Sequence, residues 1–112
     1  MTRYLISFDD GAMDFLEGDL AEVGEAAHRV LRDAKAAGVW VTGGGLQRQQ
    51  AKIVHPDGSS TNGDYPEKKA VLGGFSIVDV ATYEQAVQWA QRFAAACRCS
   101  QEVRVLMDDP EV

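Results

Sequence analysis

The sequence predicts a mixed α+β fold in which two helices cover one face of a small antiparallel sheet. Three observations predict it: two segments repeat apolar residues at helical spacing, several shorter segments have strand composition, and together they follow the order β-α-β-(β)-β-α-β. With 112 residues, 46% of them hydrophobic, the chain has the size and composition of one globular unit. We therefore expect a single domain over residues 1–112.

The chain opens with one strand and one long helix. Residues 3–8 are rich in β-branched and aromatic side chains, and an acidic turn sequence ends this run. Over residues 19–37 apolar side chains recur every three or four positions, with charged side chains on the other face. Gly38 then stands where a helix C-cap glycine belongs. The pattern predicts a strand followed by an amphipathic helix that lies on a sheet.

The middle of the chain predicts three further strands. Residues 39–42 have strand composition that stops at the glycine triplet 43–45, and residues 51–55 form a second short strand. Gly, Ser, Asn, Asp and Pro dominate residues 57–66, which predicts a loop or a loose hairpin. Residues 71–80 are predicted as a buried strand, and the glycine pair within it indicates a bulge or a close backbone approach.

The second helix and the last strand complete the pattern. Thr82 with Gln85 three residues later predicts a capping box, after which apolar residues follow helical spacing to residue 94. Residues 101–107 alternate as a final strand, and the acidic tail 108–112 is predicted to fray.

This order of elements is that of a ferredoxin-like, split-βαβ protomer with both helices on one sheet face. A single copy has no third helix to cover the other face. Five large side chains make that face too apolar to stay wet, namely Tyr4, Phe8, Trp40, Phe75 and Ile77. A second subunit that stacks sheet on sheet is the simplest cover, so we expect a homodimer.

The net charge and the apolar runs exclude several classes of partner. The formal net charge is −6 and the basic residues are scattered, so binding to nucleic acid or to anionic membranes is disfavoured. Apolar runs are far shorter than the roughly 20 residues that span a bilayer. The N-terminal residues also lack the apolar core and cleavage site of a signal peptide, so we expect a cytoplasmic location.

Two cysteines, Cys97 and Cys99, form a C-x-C pair that favours structural thiols at a helix end. A disulfide between such close neighbours would close a tiny, strained loop. A zinc site would need two further soft ligands, and His28 and His55 have no spacing that suggests one. Asp9 and Asp10 end the first strand but follow no hard-metal spacing rule. We therefore predict no metal and no cofactor.

Several residues are candidates for small-molecule binding or catalysis, and each also has a structural explanation that the sequence favours. The glycines at 43–45 either cradle an anion through backbone N–H groups or turn a corner and line a cleft. Lys68 and Lys69 either bind an anionic ligand or form a solvated charge run. His28 is either a general base or a solvated histidine on a helix flank, and His55 is best explained as a turn residue.

Four segments give the sequence a family resemblance that spans nearly the whole chain. They are Ala36-Ala37-Gly38-Val39, Gly43-Gly44-Gly45-Leu46-Gln47, residues 62–69 followed by Leu72-Gly73-Gly74-Phe75, and Glu102-Val103-Arg104-Val105. In order and spacing the chain resembles the YCII-related proteins, in the branch marked by an Asp-Gly-Pro-Phe (DGPF) motif. The resemblance implies a ferredoxin-like protomer, a dimer of the α+β-barrel type and a cleft between sheet and helices.

The resemblance also implies a His–Asp pair in the cleft, proposed for the family as catalytic, but here both positions depart from the pattern. The family histidine falls on Ala27, and its neighbour His28 is turned about 100° around the helix. The family aspartate falls on Asn62, which cannot accept a proton at neutral pH. Asp64 is the nearest carboxylate that could replace it.

Two hypotheses follow. The first is a dimeric module that binds a small molecule or a protein partner, with a ligand site at Gly44, Gly45, Asn62 and Lys68. The second is an enzyme, a hydrolase, lyase or cofactor-free oxygenase of a small aromatic or carbonyl substrate. Its chemistry would depend on His28 with Asp64 or Asp9. The departures from the family pair favour the first.

Overall fold

A computed structural model describes residues 1–13, 15–47, 51–62 and 72–112. In chain order its elements are β1 Thr2–Asp9, α1 Leu20–Ala36, β2 Trp40–Gly45, β3 Lys52–Val54, β4 Ser60–Asn62, β5 Leu72–Val80, α2 Tyr83–Cys97 and β6 Glu102–Val105. A short 3₁₀ turn over Glu17–Asp19 leads into α1. The mixed α+β class is confirmed.

Four of the strands form one antiparallel sheet in the order β2-β5-β1-β6. The two long strands β1 and β5 are central, and each helix crosses over one strand: α1 joins β1 to β2 across β5, and α2 joins β5 to β6 across β1. This arrangement is consistent with the predicted ferredoxin-like fold. The last strand is shorter than predicted, because β6 pairs with β1 only over its residues 102–105.

The core lies between the helices and one face of the central strands. Tyr4 and Ile6 on β1 pack with Val78 and Val80 on β5, and all four are almost fully buried. The helices contribute the rest of this cluster, Val30 from α1 and Ala86, Ala90 and Phe93 from α2. Both helices therefore cover the same sheet face.

Both predicted helix-end signals are confirmed. At the end of α1, Gly38 has φ +74°, and the N–H groups of Gly38 and Val39 donate to Lys35 O (3.0 Å) and Ala34 O (3.1 Å). These two bonds form a Schellman motif. At the start of α2, the Thr82 hydroxyl accepts from Gln85 N at 3.2 Å and the Gln85 side chain accepts from Thr82 N at 3.1 Å.

The glycine triplet continues the second strand, and the prediction that it ends the strand is wrong. Gly43, Gly44 and Gly45 pair with Ser76, Phe75 and Gly74 of β5. Glycine has a low strand propensity. It is nevertheless needed at position 43 of this strand, because β5 approaches so closely that a Cβ on Gly43 would lie 2.4 Å from Phe75 O. Of the predicted alternatives for residues 57–66, a loop or a loose hairpin, the hairpin is confirmed up to residue 62, with β3 paired to β4 around a turn at Gly58, and residues 63–66 lie outside the described residues.

The glycine pair in β5 produces the predicted bulge. Phe8 pairs with Gly74 but Asp9 pairs with Leu72, so Gly73 is the extra residue. The Phe8 ring lies against this bulge, and a Cβ on Gly74 would be 2.5 Å from Phe8 Cζ. Both glycines are therefore required by close approach.

The sheet face opposite the helices is less apolar than the sequence alone predicts. Because side chains alternate along a strand, Tyr4 and Phe8 share the helix-covered face, and Trp40 joins them there by packing against Phe93. Of the five predicted residues, only Phe75 and Ile77 lie on the other face, together with Leu5. We call this surface the open face.

A substitution at Gly43 tests the close approach of β2 and β5. In Gly43→Ala the new methyl group meets two backbone atoms of β5, Phe75 O at 2.4 Å and Ser76 Cα at 2.8 Å. We expect the free energy of unfolding, measured by urea denaturation, to fall by about 1–3 kcal/mol. Gly44→Ala is the matched control, since a Cβ at that position would meet no atom within 4 Å. Equal losses in the two variants would contradict the packing argument.

Candidate functional site

The glycine-rich end of the sheet contains two glycines that the protomer itself does not require. Gly44 and Gly45 are exposed, and a Cβ on either would meet no atom within 4 Å. Neither has a positive φ. Since neither packing nor backbone conformation calls for glycine here, the bare backbone is available for close approach by another molecule.

The two glycines face opposite sides of the sheet. Gly44 is in register with Phe75 and so lies on the open face. Gly45 is in register with Gly74, which pairs in turn with Phe8 on the helix-covered side. On that side the sheet end has a floor of glycine backbone beside a half-buried aromatic ring. Such a surface suits a small planar or apolar molecule.

Acidic side chains follow β1 at the same end of the sheet. Asp9 pairs with Leu72, and its carbonyl accepts from Ala12 N at 3.1 Å in a turn that includes Gly11 at φ +80°. In the described part of the chain, no three His, Cys, Asp or Glu side chains are grouped to hold a metal ion.

His28 lies on α1 and is exposed, whereas its neighbour Ala27 is half-buried. Within the described residues the imidazole makes no hydrogen bond or ion pair. Its charged surroundings belong to the helix surface: the hydrogen bond from Arg32 lowers the pKa of Glu25, to which Arg29 and His28 add smaller effects. No described contact joins His28 to the glycine-rich sheet end.

The remaining predicted site residues lie elsewhere or outside the described ranges. Asn62 is an exposed residue of β4, opposite Lys52 in the two-stranded ribbon. Asp64 and Lys68 fall outside the described residues. The structure therefore brings together Gly44 and Gly45, and it places His28 and Asn62 on other elements.

The C-x-C pair has the predicted structural role. Cys97 is the buried last residue of α2, and Cys99 is a half-buried free thiol that accepts a hydrogen bond from Gln101 Nε2 at 3.5 Å. Burial, with a smaller effect of Cys99, raises the pKa of Cys97 to about 11. Both thiols are therefore protonated at neutral pH and are poor nucleophiles. His55 lies at the ribbon turn as predicted, with Nε2 3.3 Å from Thr61 Oγ1.

Two charged residues of the open face were missed by the sequence analysis. Asp79 has a buried carboxylate oxygen, Oδ1, without a hydrogen-bond partner in the described structure. Arg3 lies directly opposite it on β1. The alternation of side chains along β1 is the sequence pattern that predicts Arg3 on the same face as Leu5 and Ser7. The same alternation along β5 predicts Asp79 on the face of Ile77.

Comparison with known families decides the affiliation of the chain. The model of the YCII-related domain matches residues 4–107, nearly the whole length. The chain belongs to the YCII-related family. Among curated proteins, no match was found.

Two features of this YCII-related chain bear on its surroundings and its site. In the described residues no helix is both long enough and apolar enough to cross a bilayer. Ala27, on which the sequence resemblance places the family histidine, is half-buried, whereas His28 is exposed. This difference agrees with the 100° step between helix neighbours.

The raised pKa of Cys97 predicts a slow thiol. In Cys99→Ser, which removes the smaller cause of the raised pKa and keeps the burial of Cys97, we expect alkylation by iodoacetamide at pH 8 to be tens of times slower, and at most about a hundredfold slower, than for a thiol of pKa 9.0. The protonated thiol stabilises the fold below pH 9, and this contribution is lost as pH rises from 9 toward 11. The same variant in urea serves as control, and equal folded and unfolded rates would contradict the prediction.

Proposed function

We propose that this YCII-related chain, a member of the DGPF-motif branch, acts as a homodimeric, cytoplasmic module that binds a small molecule. The observation that carries the proposal is the exposed backbone at Gly44 and Gly45, where no atom of the described residues lies within 4 Å of a Cβ added to either glycine. Branch membership is supported by the four sequence segments that resemble that branch. The cytoplasmic location is supported by the two free thiols, Cys97 and Cys99.

The dimer is supported by the difference between the two sheet faces, of which only one is covered by helices. Both helices pack on one face, while Leu5, Phe75 and Ile77 remain half-buried at the centre of the other. An antiparallel sheet can leave one face wet, but that face is then mainly polar. A second copy stacked on the open face would remove these side chains from water and produce the α+β barrel that the family resemblance implies.

Support for ligand binding comes from the helix-covered side of the same sheet end. Gly45, Gly74 and the ring of Phe8 provide a floor and one wall, and no side chain of the described residues lies within 4 Å of a Cβ added to Gly45. Aromatic and backbone surfaces of this kind favour a small planar or carbonyl compound. Asn62, Asp64 and Lys68 stay predicted contributors of polar contacts.

The enzyme hypothesis is less favoured by the same geometry. A general base needs a partner that orients it and a cleft that excludes water, and His28 is exposed without a described hydrogen bond. Catalysis through His28 with Asp64 or Asp9 therefore stays a prediction. Its test is His28→Ala, which should abolish turnover of a bound compound if that histidine is the base.

The dimer is tested by a charge at the centre of the open face. The wild-type chain should elute with a light-scattering mass of about 24 kDa, twice the 12.2 kDa of one chain. Ile77→Asp should shift this mass to that of one chain, because a carboxylate would lose its hydration in the interface. Leu20→Asp is the matched control, since Leu20 is 62% exposed on the helix layer. A monomeric wild type, or a dimeric Ile77→Asp, would contradict the proposal.

Ligand binding is tested by a thermal-shift screen of small aromatic and carbonyl compounds. A ligand at 100 times its Kd stabilises the native state by roughly 2.7 kcal/mol, which raises Tm by several degrees in a domain of this size. We expect Gly45→Val to abolish the shift because its side chain fills the space above the sheet end, and His28→Ala to retain it. Loss of the shift in His28→Ala alone would move the site to α1, and a screen without any shift would count against binding.

A further inference from the structure

Asp79 is placed where a carboxylate is difficult to explain in a single protomer. Its neighbours Val78 and Val80 are buried in the core, so its side chain projects onto the open face. There Oδ1 is shielded from water and has no hydrogen-bond partner within the described residues. A buried acceptor without a donor opposes folding, since the hydration lost is not replaced.

Arg3, the cation directly opposite Asp79 in the sheet, does not supply the missing hydrogen-bond donor. Arg3 is the register partner of Asp79 across β1 and β5, and it is exposed. Within the described part of the chain Arg3 forms no ion pair, although its side chain shares the open face with Asp79. In the described structure, one end of the open face thus carries an unpaired cation beside an unpaired anion.

We propose that Arg3 of one copy pairs with Asp79 of a second copy across stacked open faces. This inference rests on the homodimer proposed above and adds the residues that orient it. The register itself supplies the complementarity. A two-fold axis parallel to β1 and β5 and midway between them places β1 of each copy over β5 of the other.

With that axis, every register pair within one copy becomes a pair between copies. Arg3 meets Asp79 twice, once on each side of the axis, and Leu5 meets Ile77 twice in the same way, one step further along the strands. Over β1 and β5 the open face is therefore complementary to itself in charge as well as in apolar character, while the open-face charges on β6, Glu102 and Arg104, pair with each other. Opposite charges that are buried in this way fix the orientation of an interface more than they add affinity.

The structure also leaves room for an incoming guanidinium. A cavity of about 380 Å³ adjoins Arg3 and Asp79 and is lined further by Asp108 and Asp109. With three carboxylates and one cation among these four side chains, the local charge favours a further cation. The guanidinium of a second copy's Arg3 has that charge and can donate two parallel hydrogen bonds to a carboxylate.

The test uses two full-length variants with opposite charge at this end of the sheet. Arg3→Asp makes both positions acidic and Asp79→Arg makes both basic, so each homodimer would bring like charges together. We expect each variant alone to raise the dimer Kd by about tenfold or more in analytical ultracentrifugation. An equimolar mixture should regain near wild-type affinity as a heterodimer, because each Asp then faces an Arg of the other chain.

The mixture separates pairing between copies from pairing within one chain. Within each variant chain the two side chains still repel, so only contacts between copies are restored. Arg32→Asp and Glu25→Arg provide the matched control mixture, since they change the same net charges at an exposed pair on α1. Their singles and their mixture should both keep the wild-type Kd.

The possible results distinguish this inference from the proposed function. Restoration in the Arg3→Asp and Asp79→Arg mixture alone supports the pairing. A wild-type dimer with unchanged singles, or with no restoration on mixing, overturns the pairing and leaves the dimer intact. A wild type that stays monomeric overturns both. Should Asp79→Arg fail to fold, Asp79→Asn replaces it: a raised dimer Kd supports the pairing, and an unchanged Kd overturns it.

Discussion

The pairing of β1 with β5 is the constraint on which the rest of the structure depends. Its register places Tyr4 beside Val78 and Leu5 beside Ile77, so each strand divides its side chains between the core and the open face. A slip by one residue would exchange these two sets, burying Arg3 and Asp79 and exposing the core. The bulge at Gly73 ends this register beside the ring of Phe8, and it does so at the sheet end where the candidate ligand site lies. Core, open face and site are thus three consequences of one strand pairing.

Much of this architecture could be predicted from local sequence, because local chemistry determines helix ends and strand order. Gly38 and the Thr82–Gln85 capping box mark their helix boundaries through backbone hydrogen bonds that involve only nearby residues. The end of β2 and the facing of Trp40 could not be predicted in this way. Glycine has low strand propensity, yet Gly43 is required because a neighbouring strand approaches it. Trp40 was placed on the wrong face because a bulge at Val41 shifts the alternation of β2 relative to β5.

The candidate site could be predicted only in part, because local sequence identifies its residues but the register between strands decides where they face. Composition identified Gly44 and Gly45, but which side of the sheet each one faces depends on their register with Phe75 and Gly74. The departure from the family's His–Asp pair stays a prediction from the sequence resemblance, and the structure adds only that Ala27 is half-buried while His28 is exposed. No sequence pattern indicates the significance of Asp79, because it lies in a hydrogen-bond donor that is missing within the described residues. A single carboxylate in an otherwise apolar strand is ordinary on an edge and costly only when shielded from water.

The open face therefore joins two departures from what a lone protomer needs. Gly44 leaves bare backbone where a side chain would fit, and Asp79 leaves a shielded oxygen without a donor in the described structure. Sequences that specify one fold satisfy local rules nearly everywhere, and violations concentrate where function imposes a competing demand. Both features lie on one face, around the apolar centre formed by Leu5, Phe75 and Ile77. A second molecule bound to that face would account for both of them. Since the register makes the face complementary to itself, a second copy of the chain satisfies the charge and the apolar surface together, whereas an unrelated partner would have to match each of them separately.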